Sequence, residues 1–105
     1  MNKLEIRKEE NGDNLTVFPI GRIDTMTAPT LEDDIKKSIE EVKQLNIDFK
    51  DVVYISSAGL RVVVSLSKFM KAKGGSLAIS NLNDNVYKIF KAVGLIDILS
   101  IEKDS

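Results

Sequence analysis

The first 23 residues alternate apolar and polar positions with the period of a β-strand. In KLEIR, Leu4 and Ile6 alternate with charged neighbours, which predicts a half-buried edge strand. Asn11-Gly12 then predicts a tight turn, because both residues tolerate positive φ. A second strand is predicted over residues 15–23. Pro19 lies within it and has no amide donor, so this stretch is predicted to lie at an edge or a bulge.

Apolar residues next recur at helical spacing over residues 25–42. Thr27 or Ala28 is the predicted cap of this helix, and Pro29 fits the first turn, where its missing N–H is not needed. The stripe predicted to face the core comprises Leu31, Ile35, Ile39 and Val42.

Two further helices are predicted in the second half of the chain. One follows the serine pair Ser56-Ser57 and ends at Gly74-Gly75, which favours a left-handed C-terminal cap. The other begins at Asn83 or Asp84 and ends at Gly94. The core positions predicted for these helices are Leu60, Val63, Val64, Leu66, Phe69, Met70, Val86, Ile89, Phe90 and Val93.

Apolar runs between the helices predict the remaining strands. Residues 45–49 place alternate apolar side chains on one face, and residues 52–55 are continuously apolar, as in an inner strand. Residues 76–80 and 98–101 predict two short strands. Strands that alternate with helices predict an α/β fold with right-handed crossovers. No repeat or linker interrupts the pattern, so residues 1–105 are predicted to form one domain.

Composition excludes several classes of function. The formal net charge of −1 lacks the positive excess of a nucleic-acid-binding protein. The chain contains no cysteine and no histidine, which removes disulfides, thiolate nucleophiles, Ser-His-Asp triads and imidazole metal sites. We therefore predict a protein that is not an enzyme and has no cofactor or metal. A charged N-terminus and the absence of long apolar runs predict a cytoplasmic protein without membrane insertion.

The serine pair at the strand–helix junction is the main candidate for chemistry. ISSAG has the strand–turn–helix context of a hydrolase nucleophile, but Ile55 replaces the first glycine of G-x-S-x-G and no histidine can activate a serine. One serine is accounted for as an N-cap. The second lies near unpaired amides and the positive end of the helix dipole, where an added phosphate is favoured. The residues alone leave two interpretations open, capping only or a modification site.

Three segments resemble the STAS-domain family, specifically its anti-sigma factor antagonists. They are GRIDTMTAP, IDFKDVVYISSAGLRVVV and AVGL. The middle segment is similar to the family signature D-[LF]-x-x-V-x-x-[IM]-[DS]-S-[SA]-G-[LV], and the resemblance covers nearly the whole chain. It implies a single α/β domain with a mixed, mostly parallel sheet of four to five strands and helices packed on one face.

The resemblance also implies a site and a regulatory cycle. The phosphorylated serine of the family corresponds to Ser57, with Ser56 as second choice because Ser56 stands where aspartate is frequent. Asp24 corresponds to an acid near the phosphosite. The implied partners are an anti-sigma factor that is itself an ATP-binding serine kinase, and a serine phosphatase. The unphosphorylated form would bind the kinase and release a sigma factor.

Residues that flank the phosphosite are predicted to contact the partner. The predicted contact patch comprises Asp24, Met26, Thr27, Ser56, Ala58, Gly59 and Arg61. For Met26 the alternative is a place in the core, and for Arg61 an ordinary solvated helix position. The domain is predicted to be a monomer or weak dimer. The alternative function is a STAS scaffold without a switch, in a stress-signalling assembly or a phospholipid-transport complex.

Overall fold

The computed structural model describes residues 4–95 and 100–103. Its elements, in chain order, are β1 (Glu5–Asn11), β2 (Asn14–Ile23), α1 (Ala28–Ser38), β3 (Gln44–Asp48), β4 (Val52–Ile55), α2 (Ser57–Ala72), β5 (Ser76–Leu82), α3 (Asp84–Ala92) and β6 (Ser100–Lys103). Each predicted strand and helix of the described residues has a counterpart. Of the last predicted strand, residues 98 and 99 lie outside the described residues, and β6 begins at Ser100.

The strands form one mixed sheet with the order β1-β2-β3-β5-β6, and β4 pairs with β2 off this path. β1 runs antiparallel to β2, and the other pairs are parallel. The predicted mixed, mostly parallel sheet is therefore confirmed. Five strands make the continuous path, and β4 adds a sixth strand beyond the end of β3.

Pro19 lies in an inner strand, at the one stretch of β2 that neither parallel neighbour pairs. β3 pairs with residues 14–17 of β2, and β4 pairs with residues 21–23. Between them, Pro19 lies opposite Ile6 of β1. The prediction that this stretch lies at a sheet edge was therefore wrong for β2 as a whole. Pro19 nevertheless lies where no parallel strand pairs with β2, so its missing N–H costs no hydrogen bond to a parallel neighbour. A register shift follows between Gly21 and Arg22, within the pairing of β2 with β4.

Helix α1 begins where the sequence predicts but is shorter. It starts after Thr27, with Pro29 in its first turn, and ends at Ser38. The predicted extension to Val42 is wrong, although Ile39 and Val42 are both buried. The ammonium group of Lys73 donates to the carbonyls of Ile39 and Glu40 just beyond the helix. The amide of Val42 donates to the carbonyl of Ile39 at 3.2 Å, and the amide of Lys43 donates to the distant carbonyl of Asp13 at 2.8 Å, so the chain turns toward β3 instead of continuing the helix.

Strand β4 differs from the predicted fully buried inner strand. Val52 and Ile55 are buried, whereas Val53 is 61% exposed and Tyr54 is 37% exposed. Among the described strands, β4 pairs with β2 alone. The guanidinium of Arg22 lies 4.6 Å from the ring centroid of Tyr54 and covers part of it. The continuous apolar run of residues 52–55 therefore did not mean that both faces of β4 are buried.

Helix α2 is the central helix, and its C-terminal end follows the glycine rule. Gly74 has φ of 82°, and the amide of Gly75 donates to the carbonyl of Met70 at 2.7 Å. The amide of Gly74 donates to Lys71 at 3.0 Å, which completes a Schellman motif. Phe69, predicted to be buried, is instead 42% exposed.

Helix α3 is capped by Asn83, whose side chain accepts from the amide of Val86 at 2.9 Å. Phe90 packs edge-on against Phe49 of the loop after β3, with ring centroids 5.8 Å apart. Gly94 has φ of 77° and follows the helix end. Val93 was predicted to face the core, but it lies beyond the end of α3 and is 54% exposed. None of the helices in the described residues is long and apolar enough to cross a membrane.

Candidate functional site

The site forms where β2 and β4 leave the sheet side by side. These strands run parallel, and their last residues, Ile23 and Ile55, are paired. The amide of Ser56 donates to the carbonyl of Ile23 at 2.8 Å. Because parallel strands end at the same edge of a sheet, the residues that follow, Asp24 and Ser56, emerge next to each other.

Gly59 lets the first turn of α2 lie directly on the ends of both strands. A Cβ at this position would lie 2.6 Å from Cγ1 of Ile55 and 2.7 Å from Cγ2 of Ile23. Such separations are far below van der Waals contact, so a side chain at this position would force Ile23 or Ile55 to move. The close approach fixes the start of α2 relative to β2 and β4.

The two serines have different roles. Ser56 has an extended backbone, with φ of −91° and ψ of 175°, and its hydroxyl accepts from the amide of Gly59 at 3.3 Å. It is the half-buried N-cap of α2. Ser57 is the first helical residue and is exposed. Within residues 4–95 and 100–103, its hydroxyl makes no hydrogen bond.

The first turn of α2 presents unpaired amides next to that hydroxyl. The carbonyl of Ser56 accepts from the amide of Leu60 at 2.9 Å, which is the first bond of the helix. Within the described part of the chain, the amides of Ser57 and Ala58 have no such partner. These N–H groups and the helix dipole give the surface around Ser57 a positive potential.

Asp24 organises the loop between β2 and α1. Its carboxylate accepts from the amides of Met26 at 2.9 Å and Thr27 at 3.0 Å. The amide of Asp24 donates back to the hydroxyl of Thr27 at 2.9 Å, and that hydroxyl donates to the carbonyl of Arg22 at 2.8 Å. Thr27 occupies the predicted N-cap position, but its side chain makes no cap hydrogen bond to α1. Instead, Thr27 is buried, and its hydroxyl holds the loop together through hydrogen bonds with Asp24 and Arg22.

These hydrogen bonds lower the pKa of the Asp24 carboxyl. The amide of Thr27 makes the largest contribution to the lower pKa. The Met26 amide, the Thr27 hydroxyl and the positive charge of Arg22 add to it, while desolvation acts in the opposite direction. Asp24 therefore carries a full negative charge at neutral pH, beside the start of α2.

A profile of the STAS domain matches residues 5–105 of this chain. The chain belongs to the STAS domain family. The anti-sigma-B factor antagonist of Bacillus subtilis is 34% identical to this STAS domain over 102 residues, which cover 97% of this chain and 94% of the relative. The anti-sigma-B factor antagonist of Listeria monocytogenes is 33% identical over 98 residues, covering 90% and 84%.

Solved structures share the fold of this STAS domain. An anti-sigma factor antagonist from Mycobacterium paratuberculosis superposes with a TM-score of 0.86 at 20% identity, over 96% of this chain and 86% of that one. The anti-sigma factor antagonist SpoIIAA in its unphosphorylated form gives a TM-score of 0.81 at 18% identity, over 92% and 87%. The sequence-based recognition of the family and its fold is therefore confirmed.

The predicted contact residues of the STAS domain lie on two elements, the loop after β2 and the start of α2. The loop contributes Met26, which is 80% exposed, so the alternative of a core position is wrong. Arg61 lies one turn after Ser57 on α2 and is exposed. Ala58 is half-buried and Gly59 is buried. Gly59 therefore positions the first turn of α2 against the strands and has no side chain that a partner could contact.

The sequence analysis missed one feature beside Ser57. A shallow groove of about 570 Å³ runs along α2 from Ser57 to Lys68, with Val93 on its opposite wall. Leu60 and Val64, which the sequence assigned to the core, line this groove. The helical spacing of residues 57, 60, 61, 64 and 68 could have shown that these side chains lie on one face of α2. It could not have shown that Val93 forms the opposite wall of the groove.

We predict that Asp24→Asn lowers the stability of the domain at neutral pH and has less effect at acid pH. Because the folded-state pKa is lowered, the carboxylate stabilises the fold above its unfolded pKa of about 3.9. That contribution is lost as the pH falls through the still lower folded-state pKa. Thermal unfolding of both proteins between pH 7 and pH 3 should show wild type more stable at pH 7, with the difference narrowing below about pH 4. A constant difference across this range would contradict the role of the ionised carboxylate.

Proposed function

We propose that this STAS domain is an anti-sigma factor antagonist, and that phosphorylation of Ser57 switches its binding. The names of its relatives support the first part. One observation carries the second: the Ser57 hydroxyl is exposed and makes no hydrogen bond within the described residues, whereas the adjacent Ser56 hydroxyl caps α2. A kinase can therefore phosphorylate Ser57 without breaking a hydrogen bond that the described structure contains.

In the proposed cycle, the unphosphorylated protein binds an anti-sigma factor and so releases a sigma factor. The anti-sigma factor is itself a serine kinase that binds ATP, and this chain supplies only the acceptor hydroxyl. Met26 is the exposed apolar residue of the contact surface, and Arg61 is its cation. Large apolar side chains and arginine are the residue types that dominate many protein interfaces.

Phosphate on Ser57 would add a charge of about −1.5 to −2 at neutral pH. Within the domain, the unpaired amides and the dipole of α2 stabilise it by about 0.3–1 kcal/mol, while the ionised Asp24 opposes it. The fold should therefore persist. At the partner surface, like-charge repulsion and desolvation of the new charge can cost several kcal/mol. Release therefore arises at the interface and is reversed by a serine phosphatase.

The same geometry disfavours Ser56 as the acceptor. Its hydroxyl is half-buried and accepts from the Gly59 amide, so phosphorylation there would compete with the N-cap. Gly59 lies in close contact with Ile23 and Ile55, which leaves little freedom for this turn to rearrange.

The test combines the purified protein with the anti-sigma factor encoded in the same genome. We expect a stable complex without ATP by size-exclusion chromatography. Addition of ATP and Mg²⁺ should dissociate it, in parallel with the gain of one phosphoryl group per chain by intact-mass spectrometry. A non-hydrolysable ATP analogue is the control and should leave the complex intact. Dissociation without phosphorylation, or phosphorylation without dissociation, would contradict the switch.

A further inference from the structure

The groove beside Ser57 has an apolar floor and a positively charged rim. We call it the α2 groove and define it by Ser57, Leu60, Arg61, Val64, Lys68 and Val93. Leu60 and Val64 form the floor, and the exposed Val93 forms the far wall. Ser57 and Lys68 mark its ends, which are about 16 Å apart along the helix axis.

The cations of the α2 groove form no ion pair in the described part of the chain. Within residues 4–95, the ion pairs involve neither Arg61 nor Lys68. The described lining contains no carboxylate. Glu32 lines a neighbouring depression together with Arg61, but its carboxylate accepts from the Ser65 hydroxyl and is paired with Lys36 at 3.1 Å. An apolar strip with two cations and no carboxylate in its described lining is complementary to an apolar surface that carries acids.

We infer that the α2 groove binds an amphipathic, acidic helix of the anti-sigma factor. The inference rests on the proposed function and names the element that this surface recognises. About three turns of helix match the length of the groove. Apolar residues at helical spacing cover Leu60, Val64 and Val93, which is the usual arrangement when a helix binds in a groove. Two carboxylates about 10 Å apart on that helix face Arg61 and Lys68.

This arrangement links phosphorylation to release. Ser57 and Arg61 are four residues apart on α2, so they lie on the same face one turn apart. Phosphate on Ser57 pairs with the guanidinium of Arg61 and so removes one of the two cations available to the acidic helix. It also places new negative charge at the end of the groove. The helix loses an attractive contact and gains a repulsive one in a single step.

Lys68 gives the sharpest test because it lies far from the phosphosite. We expect Lys68→Glu to weaken binding of the purified anti-sigma factor by about tenfold or more, measured by calorimetry at low salt. Lys71→Glu makes the same charge change on the same helix at an exposed residue outside the groove. It should change affinity by about twofold or less. Lys68→Ala and Lys71→Ala repeat the comparison without introducing an acid, and thermal unfolding checks that all four variants are folded.

The outcomes separate the groove from the switch. If the Lys68 variants bind as the Lys71 variants do while wild type still binds and dissociates with ATP, the groove assignment is wrong and the proposed function stands. If Lys68→Glu alone weakens binding, the groove is supported, and the effect should shrink as salt is raised. If wild type neither binds the anti-sigma factor nor accepts phosphate from it, both proposals fail.

Discussion

Ser57→Ala is expected to accept no phosphoryl group and to keep its affinity for the anti-sigma factor. The substitution removes one exposed hydroxyl that makes no hydrogen bond in the described structure, so neither the fold nor the contact surface loses an interaction. With ATP present, the complex should therefore persist instead of dissociating. Intact-mass spectrometry and size-exclusion chromatography measure the two effects on the same sample.

Two further variants sharpen this result. Ser57→Asp places a negative charge at the start of α2 and should weaken binding without unfolding the domain, since this helix end favours an anion. Ser56→Ala is the matched control. It should still be phosphorylated, but its free energy of unfolding should fall by about 1 kcal/mol because Gly59 loses its cap acceptor. If Ser57→Ala is labelled as wild type is, Ser57 is not the acceptor, and Ser56 is the next candidate.

Gly59→Ala is expected to destabilise the domain by about 1–3 kcal/mol, although alanine is the better helix former. The added methyl group would lie 2.6 Å from Ile55 and 2.7 Å from Ile23, so one of these buried side chains must move. Both residues end the strands that position the site, and both are fully buried. We therefore expect weaker binding of the anti-sigma factor together with the loss of stability. Urea denaturation gives the free energy, and calorimetry gives the affinity.

The neighbouring position supplies the comparison. Ala58→Gly reverses the substitution one residue earlier and should cost about 1 kcal/mol or less, the ordinary difference between these residues in a helix. A Gly59→Ala variant as stable as wild type, or more stable, would show that the first turn of α2 has room for a side chain. The close contact of α2 with β2 and β4 would then not be what fixes the site.

Several parts of the fold were predictable because they depend on neighbours in the chain. The cap at Asn83, the proline in the first turn of α1 and the glycine end at Gly74 follow from hydrogen bonds and backbone angles within a few residues. Periodicity located the helices for the same reason. The family resemblance added the mixed, mostly parallel sheet and the prediction of Ser57 as the phosphorylated residue, which local patterns do not contain.

The errors have a common cause in contacts between distant segments. Residues 39–42 have the helical pattern, yet the amides that follow them, those of Lys43 and Gln44, donate to the distant carbonyl of Asp13. Val53 and Val93 are apolar, but no described element covers them fully. Apolar character shows what a side chain would gain from burial, and only the packing shows whether burial occurs.

The sequence alone determined the family, the alternation of strands and helices, and the presence of two serines at one helix start. The family resemblance favoured Ser57 as the modified residue, but the local pattern could not show which serine caps the helix, because the first helical residue was unknown. The tertiary structure decided this: the pairing of Ile23 with Ile55, and the amide bond from Ser56 to Ile23, fix the first turn of α2. The Ser56 hydroxyl then accepts from the Gly59 amide, and Ser57 is left exposed at the start of the helix. Hydrogen bonds between residues more than 30 positions apart thus set which hydroxyl a partner can reach.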